Sequence, residues 1–164
     1  MKKIYLLLLP FLLLSCVDYS EDVNRDRLLG NWVHEFSNDY ETIENTIAFQ
    51  TDGSYVEQYW RTENADGFEP GLLAAYRGKY SLETGILTFS DKKYFFAADY
   101  ENPPTTIEAL QQQENVPFTT QTVEVTFEEN DRVMILLATG CNDMIPGMSA
   151  FCVEPVPVRY TKVE

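Results

Sequence analysis

The stretch YRGKYSLETGILTFS, residues 76–90, decides the fold of this chain. From Tyr76 to Leu82, every second position belongs to a mainly apolar face, and the positions between them are mostly polar. This period of two is typical of a strand with one buried face. The turn residues ETG at 83–85 follow, and residues 86–89 are again β-branched and aromatic. The stretch therefore predicts two antiparallel strands joined by a tight hairpin.

The same pattern recurs along the chain. In TIAFQTDGSYV, residues 46–56, Ile47 and Phe49 share one face, and Gly53 suits a tight turn because glycine adopts positive φ at little cost. A turn at Gly53 places Tyr55 beside Phe49 on the inward face. Eight strands are predicted in all, at residues 28–36, 43–50, 54–61, 74–82, 86–89, 122–128, 133–138 and 156–163.

Two segments leave alternatives open. Residues 91–98 either extend the strand that ends at 89 or form a ninth short strand. Residues 107–114 are predicted to form a short helix, because Thr105 and Glu108 fit a capping box after Pro104. A loop is the alternative for that segment.

Eight strands joined in sequence predict an all-β, antiparallel, up-and-down barrel, because closure removes the exposed sheet edges. Three connections are tight turns of two or three residues. The other four are longer, at residues 37–42, 62–73, 99–120 and 139–155. Since connections alternate between the two ends of such a barrel, all the long loops are predicted at one end, unless residues 91–98 form a separate strand. Loops on a rigid scaffold commonly carry binding sites.

The amino terminus predicts export. MKKIYLLLLPFLLLSC, residues 1–16, has a basic start and a short apolar core, as in a secretory signal peptide at 1–15. Its LLSC ending resembles a bacterial lipobox, in which Cys16 is acylated after cleavage. An ordinary signal peptide or a transmembrane anchor is the alternative. We expect a lipidated tether at 16–27, a barrel domain at 28–164, and a lipid-anchored location in the cell envelope, at the outer membrane on its periplasmic face or the cell surface.

The charge of the exported chain excludes some partners. Loss of Lys2 and Lys3 lowers the number of basic residues from 12 to 10 against 26 acidic ones, so the net charge changes from −14 to −16. A surface this acidic repels phosphate backbones, and no nucleic acid is expected as a partner. It also disfavours anionic lipid surfaces, so membrane contact is expected through the lipid anchor only.

Two further cysteines, Cys141 and Cys152, remain in the exported chain. An even pair in an oxidising compartment predicts a disulfide within the 139–155 loop. A thiol nucleophile or a metal pair is the alternative, but neither cysteine has a nearby histidine and the spacing is not CxxC.

The motif Gly30-Asn31-Trp32 forms a G-x-W near the start of the predicted strands. Together with LLGNWVHEF, TIAFQTDGSYV and the stretch at 76–90, it resembles the lipocalin-like lipoproteins of Bacteroidota. The resemblance covers most of residues 28–163 and implies an eight-stranded barrel that carries a small ligand. The chain departs from typical lipocalins because no long helix follows its last strand. Small barrels of this kind are often filled by their own side chains.

Six residues are candidates for ligand binding. His34 shares the inward face of its strand with Trp32 and Phe36, where it is either a hydrogen-bonded core residue or a polar contact within a cavity. Arg61 is either an anchor for a carboxylate or sulfate, or a rim residue paired with an acid of the 62–73 loop. The aromatic candidates line the long-loop end or form the upper layer of the core. The full set is His34, Phe36, Tyr59, Arg61, Tyr76 and Phe89.

No catalytic motif is present in the sequence, and a single histidine rules out a histidine cluster for metal. We therefore expect a non-enzymatic protein without cofactor or metal that binds a small apolar or amphipathic ligand at the long-loop end. The alternative is a filled barrel that serves as an interaction module for an envelope protein or a glycan. A catalytic role would require a carboxylate or His34 in a cleft with a strongly perturbed pKa.

Overall fold

A computed structural model describes residues 24–64, 67–114, 116, 120–139 and 155–163. Its elements are a helical turn α1 (Arg25–Leu28), a 3₁₀ turn (Ile107–Ala109), and the strands β1 (Gly30–Ser37), β2 (Glu41–Phe49), β3 (Ser54–Asn64), β4 (Gly71–Glu83), β5 (Ile86–Phe96), β6 (Gln111–Gln113), β7 (Gln121–Glu128), β8 (Val133–Ala138) and β9 (Val158–Val163).

The predicted eight-stranded antiparallel barrel is confirmed. Strands β1 to β5 and β7 to β9 each pair with the next in sequence, and β1 pairs with β9 to close the ring. The decisive hairpin has the expected register, with Tyr80 opposite Phe89 and Glu83 opposite Ile86. Gly53 has a φ of +80°, and Tyr55 lies opposite Phe49 as predicted. The short strand β6 pairs with β5 outside the ring.

One end of the barrel is closed by apolar packing. Trp32, Tyr55 and Met134 are almost completely buried there, and Trp32 Nε1 donates to the Leu28 carbonyl oxygen at 2.7 Å. The helical turn α1 lies over this end, where Arg27 Nε donates to Asp131 Oδ1 at 2.8 Å. The residues just before the first strand are therefore packed on the barrel.

Residues 91–96 extend β5, so the ninth-strand alternative is wrong and the three turns predicted to be tight share one end, although one connection at the other end is equally short. A bulge interrupts β5 at Asp91, whose φ is +53°, opposite Gly78. A Cβ at Gly78 would lie 2.7 Å from Tyr55 Cε1, so only glycine fits there. The β1–β2 connection spans only residues 38–40 and is shorter than the predicted loop at 37–42.

The predicted helix at 107–114 is reduced to the single 3₁₀ turn. Thr106 rather than Thr105 precedes it, and no side-chain cap forms. Gln111–Gln113 is extended instead. Strand β5 continues beyond the part that pairs with β7, and Gln111–Gln113 pairs as β6 with the edge that this leaves exposed. Leu110 is buried against Leu72 and Ala75 on the outer barrel wall, which gives the segment a small core of its own.

Cys16, Cys141 and Cys152 lie outside the described residues, so lipidation and the disulfide stay predictions. Within the described part of the chain, no helix has both the length and the apolar character needed to span a membrane.

Candidate functional site at the open end

Two recesses open at the end of the barrel opposite the packed core. The inner recess has a volume of about 230 Å³ and lies between β2, β3, β5, β7, β8 and β9. Its lining combines the apolar side chains of Ile47, Phe89, Val123 and Leu136 with the polar side chains of Glu57, Lys92 and Tyr160.

The rim recess lies beside it and has a volume of about 350 Å³. It is lined mainly by apolar and aromatic side chains, and Tyr59 lines both recesses. Ligand pockets are commonly about 300–1,000 Å³, so the inner recess alone is small for a ligand, whereas the volume of the rim recess falls within that range. Lining residues of the rim recess include Phe36, Ile43, Leu73, Tyr76, Phe96 and Tyr100.

A buried polar network forms the wall of the inner recess. Glu57 Oε1 accepts hydrogen bonds from Tyr59 Oη at 2.7 Å and from Asn45 Nδ2 at 3.4 Å. Asn45 Oδ1 in turn accepts from Tyr160 Oη at 2.5 Å. These contacts join β2, β3 and β9 around one carboxylate, which is 12% exposed.

Lys92 supplies the opposite charge. Its Nζ lies 3.6 Å from Glu57 Oε2, and the Lys92 side chain is 11% exposed. The ammonium also lies 4.3 Å from the ring centroid of Tyr76 and 5.6 Å from that of Tyr94, in a cation–π arrangement. The recess therefore holds a buried pair of charges rather than an isolated carboxylate.

Four tyrosines around the network stay protonated at neutral pH. Burial, followed by the negative charge of Glu57, raises the pKa of Tyr76 to about 12. The same two causes, in the same order, raise the pKa values of Tyr55, Tyr59 and Tyr160 well above their usual range. Tyr55 Oη is buried and has no hydrogen-bond partner among the described residues.

His34 lies near the rim and lines neither recess. Its Nδ1 donates to the Arg159 carbonyl oxygen at 3.0 Å, and its ring lies 5.8 Å from Phe36 and 5.5 Å from Tyr160. Phe36 is 41% exposed and lines the rim recess. His34 therefore makes a hydrogen bond, as one of the two predictions for it required, but it is only partly buried and lies outside the buried core.

Arg61 is buried and lines neither recess. Its Nε donates to Glu41 Oε2 at 2.8 Å, and its Nη1 donates to the Tyr100 carbonyl oxygen at 2.8 Å. The partner carboxylate comes from Glu41 on β2, so the described part of the 62–73 loop does not supply the predicted acid. Among the described residues of that loop, the Glu69 backbone oxygen accepts from Arg61 Nη1 at 3.3 Å.

The three remaining candidates do lie at the recesses. Tyr59 separates the two, and its ring centroid is 5.4 Å from that of Tyr76, which lines the rim recess. Phe89 lies deeper, because it opposes Tyr80 rather than Tyr76, and it lines the inner recess.

Sequence reasoning missed Glu57 and Lys92 as site residues. Glu57 had a visible signal, since it lies between Tyr55 and Tyr59 on the inward face of one strand. Lys92 had no such signal. Strict alternation from the inward residue Phe89 would place residue 91 on the inward face, but the bulge in β5 places Lys92 there instead. In the described ranges, no three His, Cys, Asp or Glu side chains are grouped to hold a metal ion.

Comparison of the chain with family models, curated proteins and solved structures finds no match. The resemblance to lipocalin-like lipoproteins therefore stays a prediction that rests on the sequence motifs.

Proposed function

We propose that this protein is a lipid-anchored, lipocalin-like protein of the cell envelope that binds a small amphipathic molecule at the open end of its barrel. The observation that carries the proposal is the pair of recesses that meet at Tyr59. The inner recess contains charged and polar side chains among apolar ones, and the rim recess is mainly aromatic and apolar, so together they suit a molecule with a polar head and an apolar tail.

The anchoring part of the proposal rests on the first sixteen residues. A cleaved and acylated Cys16 holds the protein at the membrane through its acyl chains, because each buried methylene contributes about 0.8 kcal/mol and two or three chains anchor stably. With 26 acidic against 10 basic residues after loss of Lys2 and Lys3, the anchored protein itself has little attraction to an anionic bilayer.

Ligand binding is tested by titration with the fluorescent apolar probe N-phenyl-1-naphthylamine. Ala138 lines the inner recess, and Ala138→Trp fills it. Ala48 lies on the outward face of β2, between the inward residues Ile47 and Phe49, and Ala48→Trp is the matched control. We expect saturable binding that weakens at least about tenfold in Ala138→Trp and is unchanged in Ala48→Trp. Absence of saturable binding, or equal binding by both variants, would refute the carrier role.

Anchoring is tested by mass spectrometry and membrane fractionation of the chain expressed in a bacterial host. We expect a mature protein that begins at an acylated Cys16 and sediments with the outer membrane. Cys16→Ala should release the chain from the membrane fraction. An unmodified amino terminus with the same membrane association would reject this part of the proposal.

A second candidate function is contact with an envelope protein or a glycan through the rim. Tyr40 is 71% exposed and Tyr100 is 51% exposed, both at the end that carries the recesses. Site-specific photo-crosslinking from position 40 in intact cells tests this candidate. A crosslink to a defined partner that also forms in the Ala138→Trp variant would favour a role as an interaction module over a role as a ligand carrier.

A further inference from the structure

The inner recess is electrically balanced. Among its described lining residues, Glu57 and Lys92 are the only charged side chains, and both are about nine-tenths buried. Their charges are opposite and 3.6 Å apart. The recess therefore presents both signs of charge to a ligand and carries no net charge of its own.

The two charged groups keep hydrogen-bonding capacity toward the recess. The 3.6 Å separation of Lys92 Nζ and Glu57 Oε2 exceeds an ordinary hydrogen bond. Both hydrogen bonds that Glu57 accepts fall on Oε1, and Lys92 Nζ makes none within the described part of the chain. A small polar group placed at this gap could accept from Lys92 and donate to Glu57.

The charge balance selects the chemistry of that group. A carboxylate head would add a second negative charge beside Glu57, and an ammonium head would add a second positive charge beside Lys92. Either excess charge is costly in a site shielded from water. A hydroxyl both donates and accepts one hydrogen bond without changing the charge.

Resting on the proposed function, we infer that the ligand is an uncharged amphiphile with a hydroxyl head. The head lies between Lys92 and Glu57. The apolar part lies against the apolar lining residues Ile47, Val123 and Leu136 and continues past Tyr59 toward the rim recess.

The inference is tested by displacing N-phenyl-1-naphthylamine with three ligands of equal tail length: decan-1-ol, decanoate and decylamine. We expect decan-1-ol to displace the probe at a concentration at least about tenfold lower than either charged ligand. Glu57→Gln leaves Lys92 unbalanced and should shift the preference to decanoate. Lys92→Met leaves Glu57 unbalanced and should shift it to decylamine.

Glu128→Gln is the matched control, because Glu128 pairs with Arg159 on the exposed surface and lies in neither recess. It should keep the preference of the unmodified protein. If decanoate or decylamine displaces the probe as well as decan-1-ol does from the unmodified protein, the inference is wrong while the carrier role stands. If the probe does not bind at all, the proposed function itself fails. The comparison of the three ligands on the unmodified protein tests the inference even if a variant does not fold.

Discussion

At the closed end of the barrel, the inward positions of β1, β2 and β8 are filled by Trp32, Phe49 and Met134. At the open end, the corresponding inward positions of β2 and β3 carry Asn45 and Glu57. The same alternation thus builds a packed apolar core at one end and a polar network at the other. Because a buried ion pair is often no more stabilising than apolar packing, the contrast supports the proposed binding role of the open end.

The largest expected effect tests the closed end. Trp32→Ala removes a completely buried ring and the hydrogen bond to the Leu28 carbonyl oxygen. We expect the free energy of unfolding to fall by about 3–5 kcal/mol in urea denaturation. Phe36→Ala at the exposed rim is the control and should cost less than about 0.5 kcal/mol. Similar losses in both variants would contradict the division of the barrel into two ends.

A smaller effect is expected at the charge pair of the open end. Lys92→Met leaves the Glu57 carboxylate buried without its counter-charge and should lower the free energy of unfolding by about 2–3 kcal/mol. The double variant Glu57→Gln, Lys92→Met removes both charges and should return to within about 1 kcal/mol of the unmodified protein. A double variant as unstable as Lys92→Met alone would show that the pair itself stabilises the fold.

The tyrosines of the network make stability depend on alkaline pH. Burial and the Glu57 charge raise the pKa of Tyr59 in the folded state, whereas an unfolded tyrosine ionises near a pKa of about 10. Above that pH the unfolded state binds fewer protons than the folded state. The free energy of unfolding should therefore fall with rising pH, by about 1.4 kcal/mol per pH unit for each such tyrosine.

Urea denaturation at pH 8, 10 and 11 measures this dependence. Tyr59→Phe should make the free energy of unfolding fall less steeply above pH 10, by the contribution of one tyrosine, which is about 1.4 kcal/mol per pH unit. Tyr40→Phe, at a position 71% exposed, should leave the slope unchanged. Equal slopes in the two variants would show that the network is accessible to ionisation in the folded state.

The barrel was predictable because its signals are local. Alternation with a period of two and turn residues such as Gly53 define the strands, and the parity of the connections placed the long loops at one end. The helix predicted at 107–114 is shortened to the 3₁₀ turn Ile107–Ala109, because the edge of β5 gives Gln111–Gln113 a strand partner that local sequence does not reveal.

The site was predictable only in part. Tyr59, Tyr76 and Phe89 follow the alternation and were assigned to the long-loop end. Lys92 was not, because the bulge at Asp91 reverses the alternation within β5. That bulge lies opposite Gly78, where Tyr55 approaches the backbone closely. The direction of the Lys92 side chain depends on this packing between strands. It therefore cannot be derived from the sequence of β5 alone.

The smallest expected effect compares two buried tyrosines of the main core cluster. Tyr80 Oη donates to the Gln50 carbonyl oxygen at 2.8 Å and accepts from Arg25 Nε at 3.3 Å, whereas Tyr55 Oη is buried without a partner among the described residues. Tyr80→Phe should therefore destabilise the protein by about 1 kcal/mol, while Tyr55→Phe should stabilise it by about as much, because it removes an unsatisfied buried hydroxyl. Urea denaturation of the two variants measures both changes. Since both substitutions remove the same atom, a shared sign would mean that the Tyr55 hydroxyl is as well satisfied in the folded protein as that of Tyr80.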